Sequence, residues 1–200
     1  MEEIVSVLLN DFETLDVFGP IEVFGRLKGN FDPQFYSRQG GAVRNSDNVA
    51  VLTKPFSESP SSSYILFVPG GLGTRVLVQD VEFVRELKRL GENANFVLTV
   101  CTGSILFSKT GLLNGRRATS NKRAFRWTAE ESPSVHWVKK ARWVKDGNIY
   151  TSSGVSAGID MSLAYVSEIL GYEVAKQLSI EIEYKWNDKL DEDDFAELYP

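Results

Sequence analysis

The sequence predicts an α/β fold in which a mainly parallel sheet is covered by helices on both faces. Two observations carry this prediction. Apolar runs of strand length alternate with helical patterns along most of the chain. The strand-length runs are also too continuously apolar for strands with one face in solvent, which is typical of parallel strands buried on both sides.

In the first third of the chain, the pattern predicts a buried strand, a helix, two short strands and a second buried strand. The helix is indicated by apolar residues at helical spacing, Leu15, Phe18, Ile21 and Phe24. We expect Gly19-Pro20 to interrupt or kink it, because proline lacks the N–H that a helix interior uses. The strands are expected at 4–9, 35–37, 49–51 and 64–68.

The rest of the chain follows the same alternation. A helix is expected to begin after Asp80, which would cap it, and to end at Gly91. The apolar run 96–100 predicts the third buried strand, and a helix is expected from Thr102 to about Lys109. The remaining elements are strands at 135–138 and 143–151, with a hairpin turn at 146–147, and helices at 159–170 and from 172 to about 185.

Composition and charge exclude several classes of function. The chain has 200 residues, 42% of them hydrophobic, which suits one domain, expected at 1–187. A formal net charge of -5 argues against nucleic-acid binding, and no apolar run approaches the roughly 20 residues of a membrane span. One cysteine agrees with a reducing compartment, so we expect a cytoplasmic protein that acts on a small molecule. The acidic stretch 188–200 is expected to be a solvated tail.

The only cysteine, Cys101, directly follows the third buried strand in the stretch "VCTGS". In open α/β sheets, reactive groups collect at the carboxyl ends of strands, where the chain turns into the next helix. Gly103 and Ser104 are small enough for the first helical turn to lie against the sheet, as in a nucleophile elbow. The N–H groups of that turn would favour the thiolate. The alternative is that Cys101 packs as a small apolar residue.

Three further stretches are expected at the same edge of the sheet. Gly70 and Gly71 end the second buried strand. Their N–H groups can donate to a negative charge that develops on a bound ligand, or the two glycines form only an ordinary turn. Asp16 opens the first helix, either as a carboxylate beside the thiol or as a helix cap. The small-residue loop that contains Val155 can close over the site.

Together these stretches resemble the ThiJ/PfpI superfamily over nearly the whole chain, from Val5 to about Glu183. The resemblance is carried by the "VPGG" strand end, the "VCTGS" elbow, the phrase "GLLNGRRAT" and the "SSGVSAGID" entry to a helix. It implies a flavodoxin-like three-layer sandwich and a homodimer. Within the superfamily, Cys-Thr-Gly-Ser together with Leu-Asp-x-x-Gly-Pro is similar to the isocyanide hydratase branch and to the sensor domains of certain AraC-type regulators.

The resemblance implies roles for the site residues. Cys101 would be the nucleophile and Asp16 its acid/base partner in the hydration of an isocyanide to an N-substituted formamide. The implied substrate and oxyanion-binding residues are Gly70, Gly71, Thr102 and Val155. The chain departs from the isocyanide hydratases at Ser120-Asn121-Lys122, where that branch carries a histidine and a tryptophan. This departure leaves the substrate open.

Other functions fit the sequence less well. Residues 154–158 match the G-x-S-x-G pattern, but the only histidine, His136, precedes the serine, opposite to the order of an α/β-hydrolase. The stretch 71–75 lacks the third glycine of a dinucleotide fingerprint and the ending of a P-loop, and no histidine-cysteine cluster indicates a metal, so we expect no cofactor. The alternative to an enzyme is a small-molecule sensor or oxidative-stress protein of the same superfamily. We expect no DNA-binding domain after Glu183.

Overall fold

A computed structural model describes residues 1–199, and an eight-stranded sheet forms its centre. The strands are β1 (Glu2–Val7), β2 (Phe31–Ser37), β3 (Gly41–Arg44), β4 (Ala50–Pro55), β5 (Ile65–Val68), β6 (Phe96–Val100), β7 (Arg117–Ala118), β8 (His136–Trp137), β9 (Trp143–Asp146) and β10 (Ile149–Ser152). β7 and β8 form a separate short pair, and the other strands form the central sheet. The helices are α1 (Thr14–Arg26), α2 (Thr74–Leu77), α3 (Val81–Asn93), α4 (Gly103–Ser108), α5 (Phe125–Glu131), α6 (Ala157–Leu170) and α7 (Tyr172–Glu181).

The central sheet is mainly parallel, as predicted. Its strand order is β3-β4-β2-β1-β5-β6-β10-β9, in which the six inner strands run parallel. The two edge strands, β3 and β9, pair antiparallel with their neighbours. The hairpin between β9 and β10 turns at 146–149, where the sequence predicts a turn.

Alternating side chains of the strands build two cores, one on each face of the sheet. Val5 and Leu66 belong to a core that includes side chains of α3 and α4. Ile4 and Ile65, their neighbours in sequence, belong to a second core with side chains of α1, α6 and α7. Because successive strand residues point to opposite faces, this division places helices on both sides of the sheet. The three-layer sandwich is therefore confirmed.

The structure corrects two predictions, because α3 does not end at Gly91 and α1 is not interrupted at Gly19-Pro20. Close packing explains the glycine at each place. Helix α3 begins at the expected cap, where the Asp80 carboxylate accepts from the Phe83 N–H at 3.0 Å, but it continues past Gly91 to Asn93. A Cβ at Gly91 would lie 2.8 Å from the Phe107 ring, so this glycine permits a helix contact instead of ending a helix. Helix α1 likewise runs through Gly19-Pro20, and Gly19 packs against α6.

The acidic C-terminal stretch is not a solvated tail. Asp193 and Ala196 are buried, and the Leu190 carbonyl accepts from the backbone N–H of Arg142 at 2.7 Å. Phe195 and Tyr199 of this folded-back segment lie near Cys101, at the carboxyl edge of the sheet. Several short peripheral elements, β3, β7, α2 and α5, were not predicted, because none carries an apolar run long enough to show a period. Within residues 1–199, no helix combines the length and apolar character needed to cross a membrane.

Gly103 determines how closely the start of α4 approaches the sheet, and its substitution tests that constraint. A Cβ at Gly103 would collide with the Val68 carbonyl oxygen, which is backbone and cannot turn aside. We expect Gly103→Ala to lower the free energy of unfolding by about 1–3 kcal/mol, as overpacking does. Gly25→Ala is the matched control, because nothing lies within 4 Å of its Cβ and alanine favours a helix interior. Urea unfolding of both variants measures the difference, and equal midpoints would contradict it.

Candidate active site

Cys101 forms a strained turn between β6 and α4. Its φ is +57°, in the left-handed region that a residue with a side chain adopts at some cost. The surrounding chain holds this conformation. The Cys101 N–H donates to the Ser153 carbonyl at 3.1 Å, and its carbonyl accepts from the hydroxyls of Ser104 at 2.9 Å and Ser120 at 3.0 Å. The elbow expected from the sequence is therefore present and is fastened to the end of β10.

The Asp16 carboxyl group lies beside this turn. It is fully buried in the first turn of α1, and its Oδ2 accepts from the Gly70 N–H at 3.0 Å. Glu13, not Asp16, occupies the helix cap. The Cys101 thiol and the Val155 N–H lie close enough to the Asp16 carboxyl group to influence its pKa, while its Oδ1 has no hydrogen-bond partner among the described residues. Sequence reasoning thus placed the acid at the correct edge, and the structure brings it to the sulfur.

Asn121 is a contact to the sulfur that sequence reasoning missed. Its Nδ2 donates to Cys101 Sγ at 3.1 Å, while its Oδ1 accepts from the Ala124 N–H at 3.1 Å, which fixes the orientation of the amide. Gly154 permits this approach, since a Cβ there would collide with the Asn121 amide. The signal available in the sequence was the departure at 120–122 from the pattern of the isocyanide hydratases.

Burial raises the pKa of both groups of the Cys101 and Asp16 pair. The pKa of Asp16 rises to about 7, first through loss of solvent and then through the charge of Glu13, against the opposing Gly70 N–H. The pKa of Cys101 rises above its ordinary value, first through burial and then through the nearby Asp16 charge.

The expected thiolate is therefore not the resting state of Cys101. Donors at Thr102, Asn121 and Val155 do act to lower the pKa of the thiol, as a helix start was expected to do, but burial outweighs them. Because the pKa of Asp16 lies near 7 and that of Cys101 lies higher, the pair holds two protons in acid and one above neutrality.

The glycine N–H groups that were expected to face a ligand already have acceptors in the protein. The Gly70 N–H donates to Asp16, and the Gly71 N–H donates to the Thr102 hydroxyl at 3.0 Å. A Cβ at Gly70 would lie 2.6 Å from that hydroxyl and 2.9 Å from Asp16 Oδ2, so the glycine allows three groups to converge. The two glycines thus orient the acid and Thr102.

A cavity of about 720 Å³ opens over the sulfur. Its volume lies in the range of sites for small molecules. Charged side chains stand around it at Glu13, Arg75 and Arg123. Residues near the sulfur that line it include Gly71, Cys101, Thr102, Asn121, Gly154 and Val155, and two aromatic residues of the C-terminal segment, Phe195 and Tyr199, complete its wall.

The serine-hydrolase alternative lacks its constellation in the structure. The Ser156 hydroxyl accepts from the Arg142 guanidinium at 3.1 Å. His136 lies in β8, exposed, and in the part of the chain described it forms no side-chain hydrogen bond to Ser156 or Cys101. Across residues 1–199, no group of three or more His, Cys, Asp or Glu side chains is arranged to hold a metal ion.

Comparison with known proteins agrees with this fold. Residues 2–168 match the DJ-1/PfpI family. The chain is 30% identical to isonitrile hydratase of Pseudomonas putida over 91% of its own length and 78% of that protein. It is 29% identical to the HTH-type transcriptional regulator CdhR of Pseudomonas aeruginosa, over 86% of the chain and 52% of the regulator. A THiJ/PfpI family protein from Pseudomonas syringae superposes with a TM-score of 0.84 at 29% identity, covering 93% of this chain and 76% of that one.

The raised pKa of Asp16 predicts that the protein loses stability as the pH rises. The folded state keeps the proton of Asp16 up to about pH 7, whereas the unfolded chain releases it near the ordinary value of 3.8. Stability from this group is therefore complete below about pH 4 and is lost as pH rises from there through about 7, by about 4 kcal/mol in all and by about 3 kcal/mol between pH 5 and pH 8. We expect Asp16→Asn to flatten this dependence in urea unfolding at pH 5 and pH 8. Parallel pH dependences in the two proteins would contradict it.

Proposed function

Since the chain belongs to the DJ-1/PfpI family, we propose that it is a cysteine-dependent hydratase that converts an isocyanide and water into an N-substituted formamide. The observation that carries the proposal is the buried carboxyl group of Asp16 against the only thiol, Cys101, at the floor of a cavity. The similarity of the chain to isonitrile hydratase, over 91% of its length, supports the choice of reaction.

The first half of the proposed reaction adds the thiol across the isocyanide carbon. The Cys101 sulfur forms a bond to that carbon while its proton moves to Asp16. Asp16 then delivers the same proton to the carbon, which produces a thioimidate. One proton on the pair is enough for this step, so the form that exists above about pH 7 is the reactive one.

The second half returns the enzyme to its starting state. Asp16, again a carboxylate, accepts a proton from water as the water oxygen bonds to the thioimidate carbon, and the proton passes to the substrate nitrogen. The carbon–sulfur bond then breaks as the new carbonyl forms, and the hydroxyl proton returns to sulfur. The Asn121 amide, 3.1 Å from Sγ, stabilises negative charge on the sulfur when it attacks and when it leaves.

Substitution of the pair tests the reaction. We expect Cys101→Ala to abolish hydration of cyclohexyl isocyanide and Asp16→Asn to slow it about 10²- to 10⁴-fold, because proton transfer is lost. In the native protein, kcat/KM should rise with pH through about 7, as the pair loses its first proton. Formamide production followed by infrared or NMR spectroscopy measures both. Ser134→Ala is the control and should stay active, because that serine lies on the surface and does not line the cavity. Full activity in Cys101→Ala would refute the assignment.

Asn121 provides a second, independent test. We expect Asn121→Ala to reduce kcat about 10- to 10³-fold, since one charge-stabilising donor is removed. The variant should also lose about 1 kcal/mol of stability, because the Asn121 side chain caps the Ala124 N–H. Asn114→Ala is a matched control, because that amide bonds Ser134 on the surface. Steady-state kinetics of both variants make the comparison, and equal kcat values would show that the contact to sulfur is not used.

The similarity to the regulator CdhR favours one other function, small-molecule sensing without turnover. Such a protein would use the same cavity as a binding site and would form no product that depends on Cys101. Isothermal titration with an N-substituted formamide, together with the hydration assay, distinguishes the two. The homodimer and the cytoplasmic location expected from the sequence stay predictions.

A further inference from the structure

The C-terminal segment 187–199 forms one side of the cavity above Cys101. Phe195 and Tyr199 line it, and they remain 50% and 40% exposed. Each ring therefore keeps surface that a bound molecule can cover. The match to the family ends at residue 168, before this wall.

A buried carboxylate anchors the segment. The Asp193 side chain is fully buried, 3.5 Å from Lys122 Nζ and 4.0 Å from the Arg142 guanidinium. Burying a charged group is unfavourable unless an opposite charge pairs with it, so the buried Lys122 needs an acidic partner at this place. Arg142 also pairs with Asp160 at 2.8 Å, and Asp160 Oδ1 accepts from the Asn187 N–H at 2.9 Å. The segment is thus fastened at its start and near its middle.

The two cations that pair with Asp193 also belong to, or contact, the chain segments on either side of the sulfur. Lys122 directly follows Asn121, whose amide donates to Sγ, and its Nζ donates to the Ala141 carbonyl at 2.7 Å. Arg142 donates to the Ser156 hydroxyl at 3.1 Å, one residue after Val155. Asp193 therefore connects the aromatic wall to the residues that contact Cys101.

We infer that residues 187–199 are a specificity element of this site, in which Phe195 and Tyr199 bind an apolar or aromatic substituent of the substrate. Asp193 is a positioning residue, which holds the wall against the two segments beside the sulfur. The inference deepens the proposed function and rests on it for the identity of the substrate, an isocyanide whose nitrogen carries an apolar group. The preference for an apolar group follows from the exposed ring surface alone.

Alkylation of Cys101 tests the wall without requiring turnover. Cys101 is the only cysteine, so the intact-mass shift reports this site alone. The measured quantity is the ratio of the second-order rate constants for N-benzyl iodoacetamide and iodoacetamide. We expect this ratio to fall about five- to tenfold in Phe195→Ala and in Tyr199→Ala, because the benzyl group loses the ring that it would cover. The ratio in Leu198→Ala should not change, since that side chain is exposed and does not line the cavity.

The outcomes separate this inference from the hydratase proposal. A reduced ratio in the two aromatic variants supports the wall even if no isocyanide is hydrated. A ratio unchanged in both, or reduced equally in Leu198→Ala, overturns it even if hydration is found. Failure of Cys101 to react with N-benzyl iodoacetamide where iodoacetamide does react also overturns it, because the benzyl group would then be excluded from the space beside the wall.

Asp193→Asn tests the anchor. We expect the ratio to fall as it does in Phe195→Ala, with a larger effect on KM than on kcat for an aromatic isocyanide, because the wall moves and the reacting groups remain. Glu197→Gln is the control, since its ion pair with Lys140 lies on the surface. Asp193→Glu should restore part of the native ratio. A native ratio in a folded Asp193→Asn protein, shown by its circular dichroism, would refute the positioning role.

Discussion

Two acids, a carboxyl group and a thiol, are buried side by side at one edge of the sheet. Asp16 and Cys101 do not both ionise there, because each is removed from water and the charge of Asp16 raises the pKa of the thiol further. One proton is therefore held by the pair over a wide range of pH. A group that has just released this proton can take it back within the same site, which suits a reaction in which one proton must leave sulfur and arrive at carbon.

Close backbone approach makes this arrangement possible. Gly70, Gly103 and Gly154 each lie where a Cβ would collide with another segment. The groups that it would meet are the Asp16 carboxyl group, the end of β5 and the Asn121 amide, respectively. Each of the three brings a different segment of the chain to the sulfur. The small residues that were recognised in the sequence as loops and strand ends are, in the structure, the positions where packing leaves no room for a side chain.

The C-terminal segment couples stability to the shape of the cavity. Lys122, Arg142, Asp160 and Asp193 form a buried charged group whose members come from separate parts of the chain. Burying any one of these charges alone would be unfavourable, because it would lose its water without gaining a partner. Opposite charges beside each other offset that loss. The acidic residue that the sequence indicated as part of a solvated tail is the partner that these cations require.

The sequence by itself determined the layered fold and the location of the site. Runs such as Phe96–Val100 are apolar on both faces and alternate with helical patterns, which is typical of a covered parallel sheet. Cys101 follows that run directly, so its place at the carboxyl edge comes from chain order. Tertiary structure alone decided the protonation of the thiol, the contact of Asn121 and the fate of Asp193. These depend on burial and on distances between residues far apart in the chain. A local pattern shows whether a segment forms a strand or a helix. It does not show how far distant segments of the chain exclude water from a given side chain.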